Sequence, residues 1–316
     1  MKPEKIHNIC LFIVGPTASG KTDLSLKMAD YLGAEIISAD SRQVFRHMNI
    51  GTATPSEEEL AALKHYFINT KDPEELFSAG EFGREARKII ADKMEKGENI
   101  IVCGGSGLYV QAALGKISDK LYTDHDVRES ILKRAKKEGW PALYKELQAV
   151  DPEQAAKIDS KNLKRISRAL EIWTISGQKP SEVYSEENEG FPWPHLILGI
   201  APERAYLYER INSRVEKMID EGLVEESQLL LKKGYGPEMN ALNTVGYKEI
   251  FRHLDGDWDL ETAISEIQKN TRHFAKRQMT WFRKHAPDEW IKFDKETNID
   301  DIVEKAKQIV VESLHR

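Results

Sequence analysis

The amino-acid sequence predicts an α/β protein: a P-loop NTPase-like parallel sheet with helices on both faces, carrying a helical insertion. Three observations lead there. Short β-rich runs alternate with helical stretches over roughly the first third of the chain, which is βαβ logic. Those runs are apolar nearly throughout rather than alternating, as strands covered on both faces require. The first run also feeds a glycine-rich loop that opens a helix, the setting that gives G-x-x-x-x-G-K-[ST] its meaning.

The elements follow in order. Strands are expected at ICLFIVG (9–15), AEIISAD (34–40) and NIIVCGG (99–105), with helices from about Lys21 to Leu32 and near 79–95. From about 117 to 192 the sequence turns to charged helical stretches ending in the loop SEENEGFPWP, with no strand-like run. HLILGIAP (195–202) restores the buried-strand pattern and is expected to rejoin the first sheet. Helices are expected from about 203 to 285, and one more after 290. The expected domains are therefore a core of 1–116 with 193–316 and a helical insertion of 117–192.

Composition narrows the function classes. With 40% hydrophobic and 31% charged residues in 316, the chain can bury a sizeable core and still present a polar surface. The longest apolar run, Ile9 to Val14, is far shorter than the roughly 20 residues that span a bilayer, and MKPEKIHN before it is no secretory signal. A cytoplasmic protein that does not enter membranes is expected. The two cysteines, Cys10 and Cys103, each lie inside a strand-like run, which excludes a disulfide framework. The nine histidines show no zinc-ligand spacing. A net charge of −6 argues against wholesale nucleic-acid coating but leaves room for a local basic stripe.

Gly15-Pro16-Thr17-Ala18-Ser19-Gly20-Lys21-Thr22 is the P-loop string, placed between a strand and a helix. Its glycines let backbone N–H groups converge on phosphate oxygens, and the helix N-terminus adds a favourable dipole. Lys21 supplies a mobile positive charge, and the Thr22 hydroxyl is placed to hold Mg²⁺ on the phosphates. Such a loop reads diphosphate geometry and leaves the attached molecule open.

Ligands gather at the carboxyl ends of strands in open parallel sheets, so Asp40 and Ser106 should face the phosphate site. Two readings fit Asp40: a turn or cap residue, or a carboxylate that takes a proton from a substrate amine. Gly104-Gly105-Ser106-Gly107 likewise offers either donors near the phosphates or the cap of the next helix.

Taken together, GPTASGKT, ISADSRQVFRHMNIGTATP, SAGEF, GGSGLYVQAAL, RISRALEIWTISG, TVGYKEI and TRHFAKRQMTWFRK resemble the tRNA dimethylallyltransferases, over about residues 9 to 285. The resemblance implies transfer of the dimethylallyl group of dimethylallyl diphosphate to N6 of the adenosine just 3′ of the anticodon. It implies that Gly15 to Thr22 hold the donor's diphosphate with Arg214, with Mg²⁺ at Thr22, and that Asp40 is the base, Ser106 joining it in the site. Ser41, Arg42, Gln43 and Ser106, together with Arg128, Lys164, Arg165, Arg168, Gly246, Tyr247 and Lys248, would contact the anticodon stem-loop of tRNA. A monomer is expected. Ser106 stands where many members carry threonine, and HYFINT at 65–70 departs from their HHLID-like pattern, which leaves His65 without a role. No Cys/His cluster follows, so the zinc finger of eukaryotic members is not expected.

Rival functions are a small-molecule kinase, a P-loop regulatory ATPase and a prenyltransferase acting on free adenine nucleotides. The ATPase lacks a hydrophobic run ending in an acidic pair. The last rival would not need the basic back half: KNTRHFAKRQMTWFRKH (269–285) holds six Lys/Arg and no acid, and KNLKRISR (161–168) holds four more. Such runs are otherwise solvated helix faces, and Phe274, Trp281 and Phe282 either stack on bases or face the core, with the helical spacing favouring the core for Trp281. Salt separates the readings. If about five of these cations meet phosphates, log affinity for tRNA should fall with log salt at a slope near −4. A flat dependence in a filter-binding titration would assign both runs to solvent.

Overall fold

The computed structural model describes residues 6–117, 124–185, 190–285 and 287–314. Six strands form one sheet: β1 (Cys10–Val14), β2 (Glu35–Ser38), β3 (His65–Tyr66), β4 (Ile100–Gly104), β5 (His195–Pro202) and β6 (Glu289–Phe293). Their order is β3-β2-β4-β1-β5-β6, and every neighbouring pair is parallel. The expected fold class is therefore the observed one. β1 lies at the centre with all five residues buried, which explains its unbroken apolar run. Cys10 packs there as a plain buried thiol, pushed up by burial alone.

Register sets the site. Val14 pairs with Gly104 on one side and Gly199 on the other, so β1 and β4 end level with each other. Leu11, Ile13, Ile36, Ile101, Leu198 and Ile291 form a core with Leu24 and Met28 of the helix Lys21–Leu32 and with Val303 and Val310 of the helix Ile299–Ser313. Burial of such side chains contributes about 1.5–3 kcal/mol each.

Two strands escape the sequence pattern. β3 has only two residues, and β6, EWIKF, interrupts its apolar residues with Glu289 and Lys292, as a sheet edge does. The tail after 290 thus finishes a strand before its helix, Ile299–Ser313, begins.

The chain divides into two compact units: Met1–Phe77 with Lys88–Val110 and Trp193–Arg316, and Ser78–Arg87 with Gln111–Pro192. The described part of the second unit is helical, its core formed by Ile131, Leu143, Leu147, Ile166 and Leu170. Residues 118–123 and residues 186–189 of SEENEGFPWP lie outside the described residues. Among the described residues no helix is long and apolar enough to cross a membrane.

Candidate active site

The first unit assembles its site at the carboxyl ends of β1, β2 and β4. β1 runs into the loop Gly15–Thr22, where Gly20 takes φ 85° and hands over to the helix beginning at Lys21. That helix start has no side-chain cap, so its first amides suit an anion. Lys21 Nζ donates to the Pro16 carbonyl at 2.6 Å. Burial lowers the Lys21 pKa to about 8; Arg214 pushes in the same direction, while Cys103 and Asp40 oppose it.

The helix Arg204–Asp220 supplies the other cations. Arg210 Nε donates to the Ala18 carbonyl at 2.8 Å, holding the loop from outside. Arg210 and Arg214 line a cleft of about 380 Å³ with Ala18, Tyr206, Glu209 and Ser213. Burial lowers the Arg214 pKa and Arg210 adds to the effect, while Asp23 and Asp40 oppose it. Arg214 therefore stands beside the phosphate loop.

The ends of β2 and β4 lie close together. Ala39 N–H donates to the Cys103 carbonyl at 2.8 Å and Ser106 N–H to the Ala39 carbonyl at 3.2 Å. A Cβ on Gly104 would overlap the Ala39 backbone. Asp40 and Ser106 follow at once. Asp40 Oδ1 accepts the Arg42 N–H at 2.8 Å, an Asx turn, and its charge acts on Lys21, Arg42 and Arg214. Both readings of Asp40 are thus compatible with one geometry: one oxygen shapes the turn while the carboxylate sits among cations. Ser106 Oγ accepts the Ser41 N–H at 3.1 Å and lies 3.3 Å from Ser41 Oγ.

Arg42 and Gln43 are committed within the protein. Arg42 Nη1 donates to the Asn240 carbonyl at 2.8 Å. Gln43 accepts from Ser38 Oγ at 2.8 Å and donates to the Ala53 carbonyl at 3.1 Å. The turn before Ala53 hangs on Glu226, whose carboxylate accepts the N–H groups of Asn49, Ile50 and Gly51 at 2.9–3.1 Å and the Tyr247 hydroxyl at 2.6 Å. Tyr247 is fully buried, so its side chain supports this turn from beneath. Gly246 N–H donates to Glu249 Oε2 at 2.8 Å, and Lys248 Nζ lies 3.4 Å from Glu249 Oε1.

In the second unit, Arg128 Nη2 and Arg168 Nη1 meet the fully buried Glu171 carboxylate at 3.0 and 2.8 Å. Both are ion-paired within that unit, whereas Lys164 and Arg165 stand exposed on the helix Leu163–Ser176. In the first unit the helix Leu260–Lys284 exposes Lys276, Arg277, Arg283 and Lys284. Phe282 is buried there, Phe274 is exposed beneath Arg277, and the half-buried Trp281 packs on His285 with ring centroids 4.4 Å apart. His65 has Nδ1 2.8 Å from the Leu63 carbonyl at the β3 edge.

Sequence reasoning missed three residues that shape the site: Arg210, Glu226 and Gln278. Gln278, from the basic helix, accepts the Thr17 N–H at 2.8 Å and donates to the Gly105 carbonyl at 2.9 Å. The only signal was a helical spacing that turns it inward with Phe282.

The chain is similar over most of its length to known proteins. The family model for IPP transferase matches residues 43–285. A tRNA dimethylallyltransferase 1 from Syntrophotalea carbinolica is 43% identical over 273 residues, covering 86% of this chain and 87% of its own. A tRNA dimethylallyltransferase from Christiangramia forsetii is 43% identical over 300 residues, covering 95% and 98%. Among solved structures, the full-length tRNA isopentenylpyrophosphate transferase of Bacillus halodurans gives a TM-score of 0.71 at 36% identity, over 98% of this chain and 97% of that one. A eukaryotic dimethylallyltransferase acting on tRNA gives 0.81 at 25% identity, over 96% and 78%.

The phosphate loop can be tested alone. Lys21→Ala should weaken binding of inorganic diphosphate by about 10- to 100-fold, the worth of a charge-assisted contact, with little change in thermal stability. Isothermal titration showing unchanged affinity would remove Lys21 from the site.

Proposed function

This chain belongs to the IPP transferase family, and from that membership we propose that its donor is dimethylallyl diphosphate, held by the P-loop with Arg214. The protein is a tRNA-modifying prenyltransferase that transfers a dimethylallyl group to N6 of the adenosine just 3′ of the anticodon. The observation that supports the residue roles is the meeting of a diphosphate loop, a carboxylate and a hydroxyl at adjacent strand ends of one unit.

The chemistry needs each part. N6 of adenine is a poor nucleophile because its lone pair is delocalised into the ring. As N6 attacks the allylic carbon, a C–N bond forms, the C–O bond to diphosphate breaks, and the N6 proton passes to the Asp40 carboxylate. Lys21, Arg214 and the loop amides neutralise the charge gathering on the departing diphosphate. The buried Ser19 Oγ has no protein partner, and a phosphate oxygen would supply one. No group of three His, Cys, Asp or Glu able to hold a metal occurs among the described residues. The Thr22 hydroxyl, in the first turn of the helix that follows the loop, would hold Mg²⁺ beside the diphosphate. When bound, the ion would add charge neutralisation on the leaving group.

For tRNA, the exposed Lys164 and Arg165 and the cations of the helix Leu260–Lys284 are the phosphate contacts we assign. Arg42, Gln43 and Tyr247 act by holding the turns beside Asp40, and Arg128 and Arg168 by pairing with Glu171. The target base must leave its stack, at a cost of a few kcal/mol that such backbone contacts offset. We place the reaction in the cytoplasm with its tRNA.

Asp40→Asn tests the mechanism, because asparagine keeps the acceptor for the Arg42 N–H and loses the base. The single-turnover rate with both substrates saturating should fall by about 10²–10⁴ while donor and tRNA affinities stay close to native. A loss of less than about tenfold, 1.4 kcal/mol of barrier, would reduce Asp40 to a turn residue.

A further inference from the structure

We propose that Gln278 is a positioning residue for the transfer reaction, its side-chain amide setting the diphosphate loop and the Ser106 strand end in register with each other. The inference rests on the donor and base assignments above.

Gln278 is only 7% exposed. Its Oε1 accepts the Thr17 N–H at 2.8 Å, and its Nε2 donates to the Gly105 carbonyl at 2.9 Å. The two partners fix the orientation of the amide, since one needs an acceptor and the other a donor. A neutral amide offers both at one end, which a carboxylate or an aliphatic side chain does not. Thr17 stands inside the loop assigned to the diphosphate, and Gly105 immediately precedes Ser106. One side chain therefore spans the supports of the leaving group and of the site hydroxyl.

The glycines of the β4 turn are shaped for this contact. A Cβ on Gly105 would collide with the Gln278 amide, and a Cβ on Gly107 would collide with the Trp281 indole. Gln278 and Trp281 are three residues apart on the helix Leu260–Lys284, hence on one face. The Gly-Gly-Ser-Gly run thus receives two successive contacts of the basic helix, which also exposes Lys276 and Arg277 beside Gln278. Without the amide, a partly buried N–H and a buried carbonyl lose their partner, and loop and strand end are free to shift apart.

The test compares Gln278→Met, which keeps length and removes both hydrogen bonds, with Gln278→Glu, which keeps an acceptor for Thr17 and has no donor for Gly105. The readouts are the single-turnover rate at saturating substrates, the Kd of inorganic diphosphate, the Kd of tRNA and the thermal midpoint. Gln278→Met should lower the rate by about 10- to 100-fold, as misplacement of reacting groups by about 1 Å does, with tRNA affinity within about twofold of native. Gln278→Glu should be at least as slow. If Gln278→Met does not fold, Gln278→Glu decides alone. A folded variant reacting within about threefold of native, or one whose only change is weaker tRNA binding, would overturn the proposal. Native protein that binds diphosphate yet prenylates no adenosine would instead overturn the reading beneath it.

Discussion

The site depends on the close approach of β2 and β4 at their carboxyl ends. Ala39 is hydrogen-bonded on both sides, through its N–H to Cys103 and through its carbonyl to Ser106, and only a glycine at position 104 leaves room for it. Asp40 and Ser106 are the next residues along each chain path, so this contact sets where both side chains emerge. β1 pairs with β4 and ends level with it, bringing the phosphate loop to the same rim. A backbone contact at the rim of a buried sheet is a firm base, because the close-packed core behind it has low compressibility.

Around that rim the charges are arranged for an anion. Lys21, Arg210 and Arg214 gather with Asp23 and Asp40 as counter-charges. Burial of Lys21 works against its protonated form, which is the cost of keeping a cation out of water, and a diphosphate offsets it. In the proposed reaction the same cations serve the leaving group, while Asp40 faces the incoming nucleophile. This division puts opposite charges at the two ends of the bond exchange.

Much of this was legible in the sequence, for physical reasons. β1, β4 and β5 are covered on both faces and so read as apolar runs, and a glycine-rich loop between strand and helix has few other uses. The edge strands did not read, since two residues of β3 and a β6 broken by Glu289 and Lys292 give no run to detect. The resemblance assigns Arg128 and Arg168 to tRNA, and in the structure both pair with the buried Glu171, a pairing that spacing along the chain does not reveal for Arg128. Gln278 was invisible because its partners lie 261 and 173 residues away. Tyr247 looked like a surface contact and is fully buried beneath a turn.

Joining a dimethylallyl group to a tRNA adenosine is the activity assigned to this chain. It is tested most directly by incubating the protein with unmodified tRNA, dimethylallyl diphosphate and Mg²⁺, digesting the tRNA and analysing its nucleosides by mass spectrometry. One adenosine per tRNA should become heavier by a dimethylallyl group, and only when donor, tRNA and protein are all present. Unchanged adenosine despite bound donor, or phosphate transfer from ATP to a small metabolite in its place, would contradict it.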